Sequence, residues 1–270
     1  MASSVLGKIL ELKLRIESSS PLTNFTGKLS KTIVLSEAPH LEYLFKPIKG
    51  FFKPLRISPP LREKRAVTPV YTGRAGELKP VELSGEYTIE VGSPREIADE
   101  LRASFEKAVG ERTRVKFENV FVKYVVEDVR VVEPHIRVTK KAVVSTLSPA
   151  LLPHPLVRSQ HIRRFTVSPS TLLWVPFSIA SGVYTHDERE SIRIIAELER
   201  CLAEHYATRQ KSVFINYDGN REPALEARAI YLLLDAGCRE LVEKVLYAAR
   251  IFGIGSSRAS GFGSVDVKTL

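Results

Sequence analysis

The pattern of the chain predicts an α+β fold in two similar halves, and three observations carry this reading. Leu10, Leu12, Leu14 and Ile16 alternate with Glu11, Lys13, Arg15 and Glu17, the period of two of a half-buried strand. A second alternating run, Val81 to Val91, leads into a helical stripe of Ile97, Leu101, Phe105 and Val109, with further strand patterns through Val115 to Val132. At the far end, the helical spacing Leu241, Val245, Ala249 and Phe252 runs into a glycine-rich turn and then an alternating strand over 264–268. Strand, helix, two strands, helix, strand is the split β-α-β order of a ferredoxin-like domain. Two such domains in tandem, 1–134 and 135–270, account for the length of 270 residues.

In order along the chain, Ser18 to Pro21 break the first strand. Phe25, Leu29, Ile33 and Val34 then predict a helix from Asn24 to Glu37, which Pro39 ends. Lys28 and Lys31, three apart, share one face of it. Ser93-Pro94-Arg95-Glu96 reads as a capping box with proline at the first helical position, and Gly110 stops that helix. Pro134 marks the boundary. In the second half, His135 to Thr146 reads as a strand, and the basic region after it as a loop. Asp187 and Glu190 should cap a helix with Ile192, Ile195 and Leu202 on one face. Val213 to Tyr217 and Leu225 to Leu234 read as strands around the turn Asp218-Gly219-Asn220, the second carrying Arg228 outward.

Composition narrows the chemistry. Lys and Arg outnumber Asp and Glu by 40 to 31, for a net charge of +9, which points to a polyanionic partner. No run of 18 apolar residues is present to span a membrane, and no signal-peptide core opens the chain, so a cytoplasmic location is expected. Cys201 and Cys238 fall in helical patterns and read as buried free thiols. Only two Gln and four Asn in the whole chain fit a hot source. There is no HExxH, no CxxC pair and no Gly-x-Ser-x-Gly elbow, so neither a metal nor a cofactor is expected.

Two stretches point to RNA. Residues 46–65 hold Lys46, Lys49, Lys53, Arg56, Arg62, Lys64 and Arg65 against the single acid Glu63, with Phe51 and Phe52 between them. Cations can hold phosphates there while aromatic faces take unstacked bases. Gly253, Gly255, Gly261 and Gly263 bracket Ser256, Ser257 and Arg258. Such a turn can offer backbone N–H groups and one fixed cation to a phosphate. Arg163 and Arg164 add a third basic patch.

The glycine turn resembles the C-terminal signature of the repeat-associated mysterious proteins, the RAMP superfamily of CRISPR systems. Ser148-Pro149-Ala150-Leu151-Leu152-Pro153, the Lys28 and Lys31 pair, and Lys53-Pro54 ahead of Arg56-Ile57-Ser58 narrow the resemblance to the repeat-processing endoribonucleases, nearest their crenarchaeal branch. That resemblance implies cleavage of precursor CRISPR RNA within its repeats, without metal. It implies the mature guide RNA as product, and allows other CRISPR complex subunits or a second copy of the chain as partners. It casts Lys31, Lys53 and Arg258 as a cationic catalytic cluster between the domains, with Lys28 and Arg228 in support. His40 is the one histidine near the family's usual position, although it sits several residues ahead of it. The alternative is a RAMP subunit that binds guide RNA without cutting it.

Overall fold

In the computed structural model, residues 7–46, 52–72, 76–157, 162–183 and 187–270 are described. The chain forms β1 (Gly7–Ser18), α1 (Gly27–Glu37), the short strands β2 (Arg56–Ile57), β3 (Leu61–Arg62) and β4 (Arg65–Ala66), and the pair β5 (Val70–Thr72) and β6 (Glu77–Lys79). Next come β7 (Ser84–Pro94), α2 (Arg95–Lys107), β8 (Arg112–Phe117) and β9 (Val120–Val132). The second half holds β10 (Lys141–Thr146), α3 (Pro169–Ser181), α4 (Glu188–Cys201), β11 (Leu202–Tyr217), β12 (Asn220–Leu233), α5 (Arg239–Phe252) and β13 (Val265–Thr269).

The first sheet runs β4-β3-β7-β1-β9-β8, with β2 also on β7, and every pairing in it is antiparallel. In β1 the predicted alternation holds: Leu10, Leu12, Leu14 and Ile16 are fully buried. They share one core with Leu29, Ile33 and Val34 of α1 and with Leu101 and Phe105 of α2. The second sheet runs β13-β10-β12-β11, the order of a ferredoxin-like domain, with α3, α4 and α5 on one face. The fold is therefore α+β with two ferredoxin-like sheets. One connection crosses between them. The β5–β6 hairpin comes from the first half, yet β5 pairs with β11, so that hairpin closes the second sheet.

Several expectations need correcting. The capping box at 93–96 does not form. Ser93 is held in the sheet opposite Lys8, its hydroxyl is buried, and Pro94 caps α2 without a side-chain hydrogen bond. Val109 is 45 % exposed because α2 ends two residues before it. The strand expected from His135 starts only at Lys141, since the Val138 N–H turns away to the Glu243 carboxylate at 2.8 Å. Asp187 does cap α4. The buried face of that helix is Ser191, Ile194, Leu198 and Cys201; Ile192 is half exposed and Leu202 already begins β11. The helix α3 was not anticipated.

The cysteines are not free thiols. Cys201 closes α4, Cys238 sits in the short turn opening α5, and the two form a disulfide with Cα atoms 5.6 Å apart.

The open face of the first sheet packs on α5, and charge is buried in that seam. Arg56 is fully buried, and its Nε donates to the Ile251 carbonyl at 2.8 Å while Nη1 donates to Glu90 at 2.9 Å. Arg250 of α5 donates to both Glu90 oxygens, at 2.6 and 2.9 Å.

Candidate nucleic-acid interface

Helix α1 begins against the C-terminal loop because two glycines allow it. A Cβ on Gly27 would lie 2.4 Å from the Ser260 carbonyl oxygen and 2.6 Å from the Gly261 Cα. The contact is mutual, and Gly261 has φ +103°. Beside it Phe25 stacks on Phe262, with ring centroids 4.1 Å apart. This docking sets the first turns of α1, which carry Lys28 and Lys31, against the glycine loop.

A cavity of about 410 Å³ opens where they meet, lined by Lys28, Lys31 and Asn24 on one side, Lys116 and Glu118 on another, and Tyr217, Asp218 and Ser260 on the third. Lys28 pairs with Asp218, and its ammonium lies 4.5 Å from the Tyr217 ring centroid. Lys31 lies 4.8 Å over Phe45. Near Lys31 is Lys53: burial first, then the Lys31 charge, push its ammonium below the usual lysine range. A lysine so shifted can exchange protons closer to neutrality than an ordinary one.

Arg258 meets this cluster from the other domain. It is 5 % exposed, donates through Nη2 to the Lys53 carbonyl at 2.5 Å, and lies 5.6 Å from the Phe52 ring. Burial pushes its guanidinium down to about 9. Its Nε and Nη1 have no partner among the described residues.

The glycines themselves do not form an open cradle. Gly253, Gly255, Gly261 and Gly263 have φ between +67° and +103°, and all four are buried. At Gly263 a Cβ would lie 1.9 Å from the Ile254 oxygen. The loop's amides point inward: Ile254 N–H donates to Gly263 O, Gly263 N–H to Pro149 O and Ser256 N–H to Leu151 O. Close packing against 149–151 is therefore what these glycines provide, and of the residues 253–258 only Ser257 is exposed, with Ser256 half-buried.

The remaining expected contacts divide. Arg56 cannot touch RNA in this structure, because it is sealed in the seam with Glu90. Arg62 is exposed and donates to Ser84 O and Tyr87 Oη at 2.7 and 2.6 Å. Arg228 is exposed on β12, opposite Ser145 and Arg209, away from the cavity lining. Arg163 and Arg164 are half-buried, with Arg164 Nη2 2.7 Å from His154 Nε2. His40 is exposed, 3.9 Å from Glu100 of α2, and does not line the cavity. Lys49 lies outside the described residues. Lys116 and Tyr217 were not anticipated, although Arg112, Arg114 and Lys116 alternate legibly in the sequence. Among the described residues no group of three or more His, Cys, Asp or Glu could hold a metal ion.

No protein-family model and no curated protein matches the sequence. Solved structures do match over nearly the whole chain. A Cas6 from Thermus thermophilus in a product complex aligns with TM-score 0.66 at 12 % identity, covering 98 % of this chain and 100 % of that one. The chain has the Cas6 fold. A Cas6-related protein from Pyrococcus furiosus gives TM-score 0.62 at 14 % identity, covering 97 % and 98 %. A RAMP protein that binds different RNA substrates gives TM-score 0.57 at 16 % identity, covering 97 % and 99 %. At these identities the likeness to Cas6 is one of fold. No helix among the described residues is long and apolar enough to cross a membrane.

Proposed function

We propose that the protein is a metal-independent endoribonuclease that cuts precursor CRISPR RNA within its repeats and yields guide RNAs. The observation that supports this reading is the cluster of Lys31, Lys53 and Arg258, from both halves of a Cas6 fold, with Lys31 also on the wall of the cavity. In this reading the 2′-OH next to the scissile bond attacks phosphorus, and the P–O5′ bond breaks. Lys53, once deprotonated, takes the 2′-OH proton, and the Lys31 ammonium stabilises the phosphorane-like charge and protonates the leaving 5′ oxygen. The products are a 2′,3′-cyclic phosphate and a 5′-OH end. Arg258 steadies Lys53 through its carbonyl. Fixed cations of this kind contribute on the order of 10²–10³ each in rate. Ser256, Ser257, Arg62 and Arg228 are proposed RNA contacts, and Lys28 supports Lys31.

Two observations favour a second reading, a RAMP-type subunit that holds guide RNA without cutting it: Arg258 is almost wholly buried and His40 stands apart. Incubation with repeat RNA in EDTA separates the two. A single discrete cut with a cyclic-phosphate end supports the nuclease; tight binding with intact RNA supports the subunit.

A further inference from the structure

We propose that the solvent face of β8 and β9 is a second RNA site, holding single-stranded RNA as it leaves the Lys28–Lys31 cavity; this deepens the RNA-processing reading and rests on it. Strand β8 alternates cleanly. Val115 and Phe117 point into the core, while Arg112, Arg114 and Lys116 are exposed on the opposite face. Across the hairpin Lys123 stands opposite Arg114 and Phe121 opposite Lys116. The Arg114 guanidinium lies over the Phe121 ring, 3.7 Å from its centroid, and Phe121 is 41 % exposed. A guanidinium over an exposed phenyl ring suits an unstacked base.

The charge there is answered only in part, by Glu17 of β1 opposite Lys123. Among the described residues none of Arg112, Arg114, Lys116 and Lys123 has a carboxylate within 4.0 Å, whereas Arg15 and Arg130 close by pair with Glu127 and Asp128. Alternate residues on one strand repeat every 6.7 Å or roughly so, which sets these cations in a row. Like charges so placed repel, and a polyanion relieves that repulsion. Continuity selects the polyanion: Lys116 belongs both to this row and to the wall of the cavity. An RNA chain seated over Lys28 and Lys31 meets Lys116 on the cavity wall, and Arg114 and Phe121 next along the hairpin.

The test compares the full chain with the variant Arg112→Gln/Arg114→Gln/Lys123→Gln, using repeat RNA with a long single-stranded flank and the same RNA trimmed to the cleavage region. Lys116 is left intact because it lines the cavity. For flanked RNA the variant should bind roughly tenfold or more weakly, and its log K against log salt slope should be flatter by about 2. Trimmed RNA should bind both proteins equally, and Phe121→Leu should weaken only the flanked RNA. Equal affinity and equal slope for flanked RNA overturn the site and leave the row to an acidic protein partner. These are binding measurements, so they decide the second site even if wild-type protein proves unable to cut.

Discussion

Glu90 of β7 and Arg250 of α5 meet in the seam between the two sheets, each carboxylate oxygen accepting a hydrogen bond from the guanidinium. With Arg56 on the same carboxylate, one buried acid joins both halves. Burial alone would push the Glu90 carboxyl up; the Arg56 charge and the Arg250 hydrogen bonds outweigh it and bring it down to about 2.

A carboxyl held below its ordinary value contributes stability that is complete above about 4.5 and is lost as pH falls towards about 2. Glu90→Gln should remove that dependence and destabilise the fold by about 3–5 kcal/mol, because two buried guanidinium groups lose their counter-charge. Urea unfolding at pH 7 and pH 3 measures both effects. A variant as stable as wild type at pH 7 would show that the seam is held by packing alone.

Replacing Gly27 by alanine tests the docking of α1. Gly27 is the first residue of α1, so helix propensity offers a gain of at most about 1 kcal/mol. The new Cβ, however, meets backbone atoms of Ser260 and Gly261 at 2.4 and 2.6 Å. Such overpacking costs about 1–3 kcal/mol, so the net change should be a loss. If the proposed nuclease reading holds, cleavage should fall by on the order of 10², since α1 moves away from the loop and carries Lys31 with it. Denaturant midpoints and single-turnover rates check this; a stabilised, fully active variant contradicts the close contact.

Lys31 and Lys53 are coupled, and their pH–rate profiles should reveal it. Lys31 helps hold the Lys53 value low, so Lys31→Ala raises it and moves the rising limb of the profile to higher pH. Rate at neutrality should drop on the order of 10²–10³, with RNA affinity changing far less. Lys53→Arg should abolish the limb. An unmoved limb in Lys31→Ala would remove Lys53 from the role of proton acceptor.

The Cys201–Cys238 bridge closes a separation of 37 residues, worth about 4 kcal/mol in the loop-entropy account. Cys201→Ser/Cys238→Ser should unfold at correspondingly lower denaturant, and wild type should shift alike under strong reductant. Coincident curves for oxidised and reduced protein would show that the bridge adds nothing.

The sheets were legible where one face meets water. From Leu12 to Ser18 in β1 burial alternates residue by residue, and the alternation appears in the letters; in β7 it does not, since Ile89 to Ser93 are buried on both faces. Helix α3 was missed for the opposite reason: Leu172 to Ile179 are buried on all sides, so no stripe appears, and Pro176 reads as a breaker although it sits inside the helix. Strand β11 was shortened because residues 204–212 are largely exposed, giving no apolar period. The glycine loop was found, but its purpose was inverted. Glycine signals close approach without saying to what, and here the approach is to the chain's own backbone. Arg56 looked like a phosphate ligand because a run of cations does not reveal which one finds a buried acid thirty-four residues later.

The β5–β6 hairpin leaves the first half to complete a sheet in the second. The two domains are thus interleaved, like pages of one signature, and a cut at the linker after Val132 would not release two self-sufficient pieces. Melting should proceed as one cooperative event for the whole molecule, because neither sheet is complete without chain from the first half.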